Sequence, residues 1–495
     1  MSKFILAIDQ GTTGTTVSII NSVGLPVAKG NHEFSQIFPN PGWVEHNPNE
    51  IWETVLKGIR RALDQASISG EQIAAIGITN QRETTLVWDR KTGEPIYNAI
   101  VWQCRRTTDV CQKLKKEGHQ KTVKQKTGLV LDPYFSATKF HWILANTPKA
   151  MKRAEAGELA GGNIDTFLVW RLTGGKKHYT DVSNASRTSL MDLKTQKWDK
   201  KLLKLFKVPE ALLPEIGPSA GHIAVTNGVP GLPDGVPITG IAGDQQAALF
   251  GQTAFKVGEA KCTFGTGSFL LMNTGKELVR SRSGLLTTVA WQLEGQPVSF
   301  ALEGGAFICG AAVQWLRDGL KIIKHSSDVE KLARSVEECG GVQFVPALTG
   351  LGAPYWEPEA RGLITGLTRG ATQAHIARAT LEAMALQNVD ILISMQKDLK
   401  KKMRALKVDG GAVANDLLMQ MQSDFLGVKV QRPQVIETTA AGAAYLAGIG
   451  VGMWTLDDLK KIVQVEREFQ PNMTKKQREI RLHEWHRAIR QTTSF

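Results

Sequence analysis

The chain opens with two short apolar runs separated by a polar turn. Phe4–Ile8 is continuously apolar, as a buried strand is, and Val17–Ile20 has the same character and predicts the strand that returns beside it. Asp9–Thr16 lies between them and is built mainly from glycine and threonine. This composition predicts a tight hairpin whose backbone N–H groups and hydroxyls face an anion.

The same arrangement recurs just past the middle of the chain. Ala260–Thr263 leads into the glycine-rich segment Phe264–Ser268, which the apolar run Phe269–Met272 follows. Two such hairpins predict a duplicated architecture with a cleft between its halves. The predicted boundary gives an N-terminal domain of residues 1–253 and a C-terminal domain of residues 254–495.

Strand-like runs and helical periods alternate along the rest of the chain. The runs that predict strands are Ile73–Ile78, Thr85–Trp88, Asn163–Val169 and Gln343–Pro346. The periods that predict helices are Pro48–Gln65, Gly305–Leu320, His375–Leu399 and Asn415–Gly427, the last with Asn415 as its N-cap. This alternation predicts an α/β fold.

The composition is that of an ordinary globular protein of more than one domain. The chain has 495 residues, of which 42% are hydrophobic and 22% charged, and this excludes disordered and fibrous classes. No stretch approaches the ~18 uninterrupted apolar residues of a membrane span. Phe4–Ile8 is too short for the core of a signal peptide. We therefore expect a soluble, cytoplasmic protein.

Charge and cysteine content narrow the choice of partners. The net charge of +13 is spread along the chain, which suits anionic small molecules, whereas nucleic acid would require a concentrated basic patch. We therefore predict no nucleic-acid partner. The five cysteines are scattered and include no CxxC pair, so neither a disulfide framework nor a zinc site is indicated.

Several nucleotide-binding and hydrolase signatures are missing or incomplete. The chain has neither a GxxxxGK[ST] phosphate loop nor a complete GxGxxG fingerprint. Gly217–Gly221 fits GxSxG, with His222 beside it, but a nucleophile elbow needs a strand that leads straight into a sharp turn and a helix. Pro218 and the flanking residues favour a surface turn instead.

A polar cluster follows the strand predicted at Ile73–Ile78. Arg82 and Glu83 would lie at the carboxyl end of that strand, where ligands of open α/β sheets bind. Two interpretations remain open at this point. The pair and its neighbouring amides bind the hydroxyls of a polyol, or the pair is a local ion pair that caps a turn.

Two further glycine-rich turns lead into predicted helices. Gly240–Phe250 places Asp244 at a helix N-terminus, either as a cap, the simpler interpretation of an isolated feature, or as a carboxylate presented to a substrate. Val408–Asn415 has paired glycines, against which a flat ligand can lie, before a helix N-terminus that favours phosphate. Together the glycine-rich turns could close on a single nucleotide.

Many of these blocks resemble motifs of the glycerol kinases, within the FGGY family of carbohydrate kinases. In family order, from about residue 3 to about residue 490, the matching blocks are DQGTT (9–13), GITNQRETT (77–85), Tyr97–Arg106, GDQQAALFGQ (243–252), TFGTGSF (263–269), Gly350–Trp356, Arg361–Arg369 and VDGGAVAND (408–416). NQRETT together with WQCRR is specific to glycerol kinases, whereas the DQGTT and GTG turns are shared more widely in the family.

The resemblance implies a fold and a reaction. The fold is the actin- and hexokinase-like ATPase fold, in which two ribonuclease-H-like α/β domains flank a deep interdomain cleft and the two hairpins are paired phosphate-binding turns. The reaction is the phosphorylation of glycerol by ATP to sn-glycerol 3-phosphate and ADP, with Mg²⁺, as the first step of glycerol catabolism. A homodimer or homotetramer is implied as well.

The resemblance also implies residue roles, position by position. Asp244 is the general base, and the glycerol-binding residues are Arg82, Glu83, Tyr134, Asp244 and Gln245, with Trp102 and Phe269 as apolar walls. The nucleotide-binding residues are Thr12, Thr13, Gly14, Thr266, Gly267, Gly310, Gln314, Gly411 and Asn415. Asp9 is associated with Mg²⁺ through water.

The first hairpin departs from the family pattern DQGTTSxR. Gly14 stands where the family has serine and Thr16 where it has arginine, so a cation beside the phosphates is missing. This departure bears on nucleotide affinity or rate, not on the reaction type. Two alternatives remain: another FGGY kinase that acts on a pentulose, against which NQRETT and Tyr134 argue, and a nucleotide-binding paralogue without catalysis, against which the intact acidic and basic site residues argue.

Overall fold

The computed structural model describes residues 3–493. The first half contains, in order, β1 (Phe4–Gln10), β2 (Gly14–Ile20), β3 (Pro26–Glu33), β4 (Glu45–His46), α1 (Pro48–Ala66), β5 (Ile73–Asn80), β6 (Thr85–Asp89), β7 (Ala99–Ile100), α2 (Thr108–Lys116), α3 (Gln120–Thr127), α4 (Ser136–Asn146), α5 (Ala150–Glu155), β8 (Leu159–Asn163), α6 (Ile164–Leu172), β9 (Tyr179–Asp181), α7 (Val182–Ala185), β10 (Met191–Asp192), β11 (Lys197–Trp198), α8 (Lys200–Phe206), β12 (Glu215–Gly217), β13 (Ala220–Val225), β14 (Pro237–Gly243) and α9 (Asp244–Gly251).

The second half continues with the same alternation. Its elements are β15 (Ala260–Phe264), β16 (Ser268–Gly275), β17 (Leu286–Trp291), β18 (Ser299–Ala306), α10 (Gly310–Asp318), α11 (Asp328–Arg334), β19 (Gln343–Val345), β20 (Leu363–Thr365), α12 (Gln373–Leu399), β21 (Ala405–Asp409), α13 (Asp416–Leu426), β22 (Lys429–Pro433), α14 (Thr438–Gly450), α15 (Leu456–Ile462), β23 (Val465–Phe469) and α16 (Lys475–Thr492).

Two large mixed sheets repeat one strand arrangement. The first has the order β13-β14-β5-β1-β2-β3 and the second β17-β18-β16-β15-β21-β22-β23. In each sheet a central hairpin has one antiparallel strand on one side and two parallel strands on the other. In the first sheet the hairpin is β1–β2, the antiparallel strand is β3 and the parallel strands are β5 and β14. In the second sheet the hairpin is β15–β16, the antiparallel strand is β18 and the parallel strands are β21 and β22. The predicted α/β class and the predicted duplication are confirmed.

Both predicted glycine–threonine hairpins are present. In the first, Asp9 pairs with Thr16 across the strands, and the N–H of Gly11 donates to the carbonyl of Gly14 at 2.9 Å. Gly14 begins β2 where a Cβ atom would lie 2.9 Å from the His32 carbonyl, so only glycine fits the close approach of β3. In the second hairpin, Phe264 and Ser268 close the turn as the last pair of β15 and β16.

Two predicted elements are wrong in type over part of their length. Asn163–Val169 is not a strand, because β8 ends at Asn163 and the apolar residues after it form α6. Gly305–Leu320 is not a continuous helix, because β18 extends to Ala306 and α10 begins only at Gly310. Asn163–Val169 is a short apolar run that is buried throughout, and such a run lacks the periodicity that separates strand from helix. In Gly305–Leu320 the helix is present from Gly310 and only its predicted start is wrong, because the residues before it end β18 and connect it to α10.

Helix α14, from the last quarter of the chain, packs against the first sheet. A third cluster of buried side chains, around α9 and α14, joins the cores of the two sheets. The backbones come unusually close: a Cβ atom on Gly77 of β5 would lie 2.2 Å from the Ala443 carbonyl, and one on Gly442 would lie 1.8 Å from the Ala247 carbonyl. Because α9 begins at Asp244, this contact holds the element that carries the predicted base.

Candidate active site

Five charged side chains form a continuous row between the two halves of the chain. Arg187 Nε donates to Glu83 Oε1 at 2.5 Å, and Arg187 Nη2 lies 3.1 Å from Glu303 Oε1. Arg82 Nη1 and Nη2 donate to the two oxygens of Glu303 at 2.7 and 2.8 Å, and Arg82 Nε lies 3.0 Å from Asp244 Oδ1. We call these five residues the charge row; their charges alternate in sign from Glu83 to Asp244.

The strand order explains why these residues meet. Arg82 and Glu83 follow β5, and Asp244 follows β14, which is parallel to β5, so all three lie at the same sheet edge. Glu83 has a left-handed backbone conformation, φ 60°, which is uncommon for a residue other than glycine. Arg187 follows α7, and Glu303 lies within β18 of the second sheet. The charge row therefore depends on both halves.

Burial makes the members of the charge row depend on one another. Four of the five side chains are at most 3% exposed, whereas Asp244 is 32% exposed. Burial raises the pKa of Glu83 and outweighs the opposite effect of Arg187 and Arg82. Burial also disfavours the Glu303 carboxylate, but the two arginines outweigh it and lower the pKa of Glu303. Arg82 and Glu83 are thus not a local pair that caps a turn.

The predicted apolar wall lies next to the charge row. The rings of Trp102 and Tyr134 are 5.6 Å apart, and those of Trp102 and Phe269 are 6.3 Å apart, with edge-to-face geometry in both pairs. The Arg187 guanidinium lies 5.6 Å from the Tyr134 ring. Trp102 Nε1 donates to Thr12 Oγ1 at 2.9 Å, so the wall continues into the first glycine–threonine turn.

Gln245 is held by a lysine that sequence reasoning missed. Lys261 on β15 is buried, and its Nζ donates to Gln245 Oε1 and, at 2.7 Å, to Thr263 Oγ1. Burial lowers the pKa of Lys261. The lysine therefore links the start of α9 to the second hairpin, across the two halves of the chain.

The second hairpin gathers four of the nine predicted nucleotide-binding positions. The N–H of Gly310 donates to the Gly265 carbonyl at 2.9 Å, and that of Ala311 donates to the Thr266 carbonyl at 3.1 Å. Gly410 has φ 90°, and a Cβ atom there would lie 2.6 Å from the Phe264 carbonyl. Thr266, Gly267, Gly310 and Gly411 therefore lie around one turn.

Other predicted nucleotide positions have different surroundings. Gln314 is exposed, one turn further along α10. Asn415 is the N-cap of α13 and accepts the N–H of Leu418 at 2.9 Å, as its sequence position predicts. In the first turn, the Thr12 carbonyl accepts from Gln36 Nε2 at 3.0 Å, and Thr13 is exposed. Gln36 therefore supports the backbone of the first turn at Thr12, whereas the tip of the turn at Thr13 is exposed to solvent.

Asp9, the predicted Mg²⁺ residue, has a raised pKa and no hydrogen-bond partner among the described residues. Burial, followed by the nearby carboxylates of Asp244 and Glu437, raises the pKa of Asp9 to about 7. Within residues 3–493 no hydrogen bond reaches its side chain, and no group of three or more His, Cys, Asp or Glu side chains is arranged to hold a metal ion. A divalent cation would relieve the repulsion between Asp9 and these carboxylates, which agrees with an ion held through water and not by a cluster of side-chain ligands.

The GxSxG match is not a nucleophile elbow. The segment runs from β12 into strand β13 and not into a helix, and His222 is exposed. Ser219 is buried, however, whereas the sequence predicted a surface turn. Its Oγ donates to Asp181 Oδ2 at 2.6 Å, which explains why a polar residue occurs in this core position.

Arg187, Glu303 and Lys261 are the important side chains that sequence reasoning did not select. Glu303 had a usable signal, because it is a lone carboxylate in an apolar strand directly before two glycines. Lys261 similarly interrupts an apolar strand. Arg187 lies in a run of small polar residues without helical or strand periodicity, and nothing in that run indicates its burial.

The two α/β halves repeat one strand arrangement, and each contributes a glycine-rich turn, as the resemblance to carbohydrate kinases implied. The chain belongs to the FGGY family of carbohydrate kinases: the model of the family's N-terminal domain matches residues 4–251 and that of its C-terminal domain matches residues 260–451.

Individual relatives match along the whole chain. A glycerol kinase of Bdellovibrio bacteriovorus is 62% identical over 490 residues and one of Caldanaerobacter subterraneus 55% identical over 491 residues, covering 99% of this chain and 98–99% of the relatives. The crystal structure of Plasmodium falciparum glycerol kinase with ADP superposes with a TM-score of 0.93 at 38% identity, over 99% of this chain and 98% of that one. Among residues 3–493, no helix is long and apolar enough to cross a membrane.

Proposed function

We propose that this protein is a glycerol kinase, which transfers the γ-phosphoryl group of ATP to a hydroxyl of glycerol and yields sn-glycerol 3-phosphate and ADP. The observation that carries the proposal is the position of Asp244. Its carboxylate is the one partly exposed end of an otherwise buried charge row, beside an aromatic wall, where residues of both halves meet. The full-length similarity to glycerol kinases supports the choice of substrate.

Glycerol binding would use the hydrogen-bonding capacity that the charge row leaves free. Arg187 occupies Glu83 Oε1, so Glu83 Oε2 is left to accept a hydroxyl. Arg82 has five N–H donors, of which Glu303, Gln246 and Asp244 take four, and one remains to donate to a hydroxyl. Trp102 and Phe269 would cover the carbon chain, and Tyr134 and Gln245 would complete the site.

Asp244 would act as the general base. Its Oδ1 is fixed by Arg82 and by the N–H of Gln245 at 2.7 Å, which leaves Oδ2 to accept the proton of the attacking hydroxyl. Phosphoryl transfer needs positioning and charge neutralisation more than covalent help. The two glycine-rich turns supply backbone donors from opposite sides, and the closed site would exclude water.

The nucleotide would lie between the two hairpins. Thr12, Thr13 and Gly14 would bind phosphate from one side and Thr266 and Gly267 from the other, with Gly310, Gln314, Gly411 and Asn415 around the nucleoside. Asp9 would hold Mg²⁺ through water. When bound, the ion would neutralise charge on the transferring phosphates.

We further propose that the chain divides near residue 253 into an N-terminal domain with the glycerol site and a C-terminal domain with the adenosine site. Because ATP is the phosphoryl donor, the enzyme would work in the cytoplasm. By family resemblance it would form a homodimer or homotetramer.

An assay of ADP release tests the proposed function. The purified protein is incubated with ATP and Mg²⁺ and with glycerol, xylulose, ribulose or gluconate in turn. We expect release of ADP with glycerol at a kcat/KM at least about 100-fold above that with any sugar, because a site built for hydroxyl hydrogen bonds discriminates strongly. A preference for a pentulose would favour a different FGGY kinase, and no release with any acceptor would favour an inactive paralogue.

A further inference from the structure

We propose that Arg187 is a positioning residue for glycerol: by holding Oε1 of Glu83 it aims the other carboxylate oxygen at a substrate hydroxyl. This inference rests on the proposed function and adds a residue to it. The starting observation is the geometry of the pair, in which Arg187 Nε and Glu83 Oε1 are 2.5 Å apart and both side chains are at most 1% exposed.

Arg187 is the cation that fixes the orientation of Glu83. Lys139 is also buried nearby, but its Nζ donates to the backbone carbonyls of Glu83 and Tyr134 and not to the carboxylate. The guanidinium of Arg82 is directed at Glu303 and Asp244. Without Arg187, the Glu83 carboxylate would therefore have no direct cationic partner among the described residues.

The remaining contacts of Arg187 hold it in one position. Its guanidinium lies 5.6 Å from the Tyr134 ring and 5.2 Å from the Phe135 ring, and Glu303 is 3.1 Å from Nη2. A planar guanidinium between two rings and two carboxylates has little freedom, so the direction that it imposes on Glu83 is also fixed. Arg187 itself makes no contact with Asp244. It also lies against Tyr134, but the part of its effect on substrate that depends on pH would pass through Glu83.

The charges around Glu83 predict what happens when Arg187 is removed. Besides Arg187, four ionisable side chains surround Glu83. They are Arg82 from the same loop, Tyr134 and Lys139 from the segment at the start of α4, and Glu303 from β18. Burial already raises the pKa of Glu83, and the loss of Arg187 would raise it further. Glu83 would then be protonated at low pH and would ionise as the pH rises. Glycerol binding would therefore be weak at low pH and would strengthen as the pH rises.

The test compares Arg187→Met with the parent protein between pH 6 and pH 9. At pH 6 we expect the KM for glycerol to rise about 10- to 100-fold, as for the loss of a hydrogen bond to a charged group, and the KM for ATP to change less than about threefold. The rise in glycerol KM should shrink as the pH increases, because Glu83 regains its charge. Calorimetric titration with glycerol alone should show the same trend.

Two further variants separate positioning from folding. Arg187→Lys keeps the charge, so its glycerol KM should have the pH dependence of the parent protein with a smaller rise. Glu83→Gln/Arg187→Met removes both charges, so its glycerol KM should be high at every pH. If Arg187→Met does not fold, the lysine variant decides alone: a pH dependence unlike that of the parent overturns the proposal.

A buried arginine elsewhere serves as the matched control. Arg106 pairs with Glu45 at 2.7 Å, and both side chains are at most 3% exposed. Arg106→Met should lower the melting temperature without a pH-dependent change in glycerol KM. An equal rise of the glycerol and ATP KM values in Arg187→Met, or a rise that does not vary with pH, would show a purely structural role. A parent protein that does not phosphorylate glycerol would instead contradict the proposed function.

Discussion

Asp244 and its surroundings decide whether the site can do chemistry. One carboxylate oxygen is held by Arg82 and by the N–H of Gln245, and about a third of the side chain is exposed to the cleft. A carboxylate that is fixed on one side and accessible on the other is the arrangement a general base requires. The same contacts also make Asp244 a stabilising residue at the start of α9, so a test has to separate the two roles.

Asp244→Asn should lower kcat about 10²- to 10⁴-fold, the usual range for loss of a general base. The fold should persist, because an amide oxygen can still accept from Gln245 and the side chain is partly exposed. Steady-state kinetics and a thermal melt measure the two effects. Asp89→Asn is the matched control, since Asp89 is 23% exposed, pairs with Arg153 and accepts the N–H of Lys91 at 2.8 Å. It should keep near-parental turnover.

Asp165 predicts how stability depends on pH. Burial, with a further contribution from Asp181, raises the pKa of Asp165 to about 7, and Oδ1 has no hydrogen-bond partner among the described residues. In the unfolded chain the pKa is about 3.9, so the folded form binds the proton more tightly. The contribution of this group to stability is therefore full below about pH 4 and is lost as the pH rises to about 7.

Asp165→Asn cannot ionise and avoids that loss. Relative to the parent protein, its free energy of unfolding should increase between pH 5 and pH 8 by about 2 to 4 kcal/mol. Denaturant titrations at several pH values measure the difference. Asp64→Asn, at a side chain that is 76% exposed on α1, should show no such trend. A constant difference between Asp165→Asn and the parent would mean that Asp165 is not protonated in the fold.

Among the helices, α9 and α14 determine how precisely Asp244, the proposed base, is placed. Their backbones touch because Gly442 has no side chain, and a Cβ atom there would lie 1.8 Å from the Ala247 carbonyl. A helix tolerates glycine at a cost of about 1 kcal/mol relative to alanine, so the close contact has to offset that cost. Any residue larger than glycine would move α9, and with it Asp244.

Gly442→Ala should therefore destabilise the protein by about 1 to 3 kcal/mol, the usual cost of overpacking, despite the higher helix propensity of alanine. We also expect a lower kcat together with a higher glycerol KM, because α9 carries both Asp244 and Gln245 and the two side chains would move together. Thr439→Ala, at a half-buried position of the same helix, should be close to neutral in both measurements. Increased stability of Gly442→Ala would contradict this account.

The two halves are not independent in space, although the chain divides between them in sequence. Glu303 and Lys261 from the second half complete the contacts of Arg82 and Gln245 from the first. In addition, α14 covers β5 and β14 of the first sheet. A fragment that ends at residue 253 would expose that covered face to water.

A protein of residues 1–253 alone should thus lack a cooperative thermal transition and should aggregate or bind hydrophobic dyes. Coexpression with residues 254–495 should restore a soluble complex, because the second fragment supplies α14. Near-ultraviolet circular dichroism and calorimetry of the fragment with and without its partner provide the measurements. A sharp transition in the isolated fragment would show that α14 is dispensable for the first half.

Local pattern determined much of this protein. The hairpins at Asp9–Thr16 and Phe264–Ser268, the α/β class and helices such as α1 follow from composition and periodicity, because turns and amphipathic faces are encoded by neighbouring residues. Local pattern also placed Arg82 and Glu83 after β5 and Asp244 at the start of a helix, and the family resemblance supplied the roles predicted for them. Local pattern failed to separate strand from helix at Asn163–Val169, where burial on every side removes the periodic signal.

Only the tertiary structure decided which charges face one another. Arg82 and Glu83 are adjacent in sequence, yet each takes its direct partner from a distant segment, Glu303 for the first and Arg187 for the second. Such pairings depend on the order of strands in the sheets and on desolvation, neither of which is a property of neighbouring residues. For the same reason, the contact of α14 with the first sheet could not be predicted: it joins segments about 200 residues apart, such as Gly240 of β14 and Ala447.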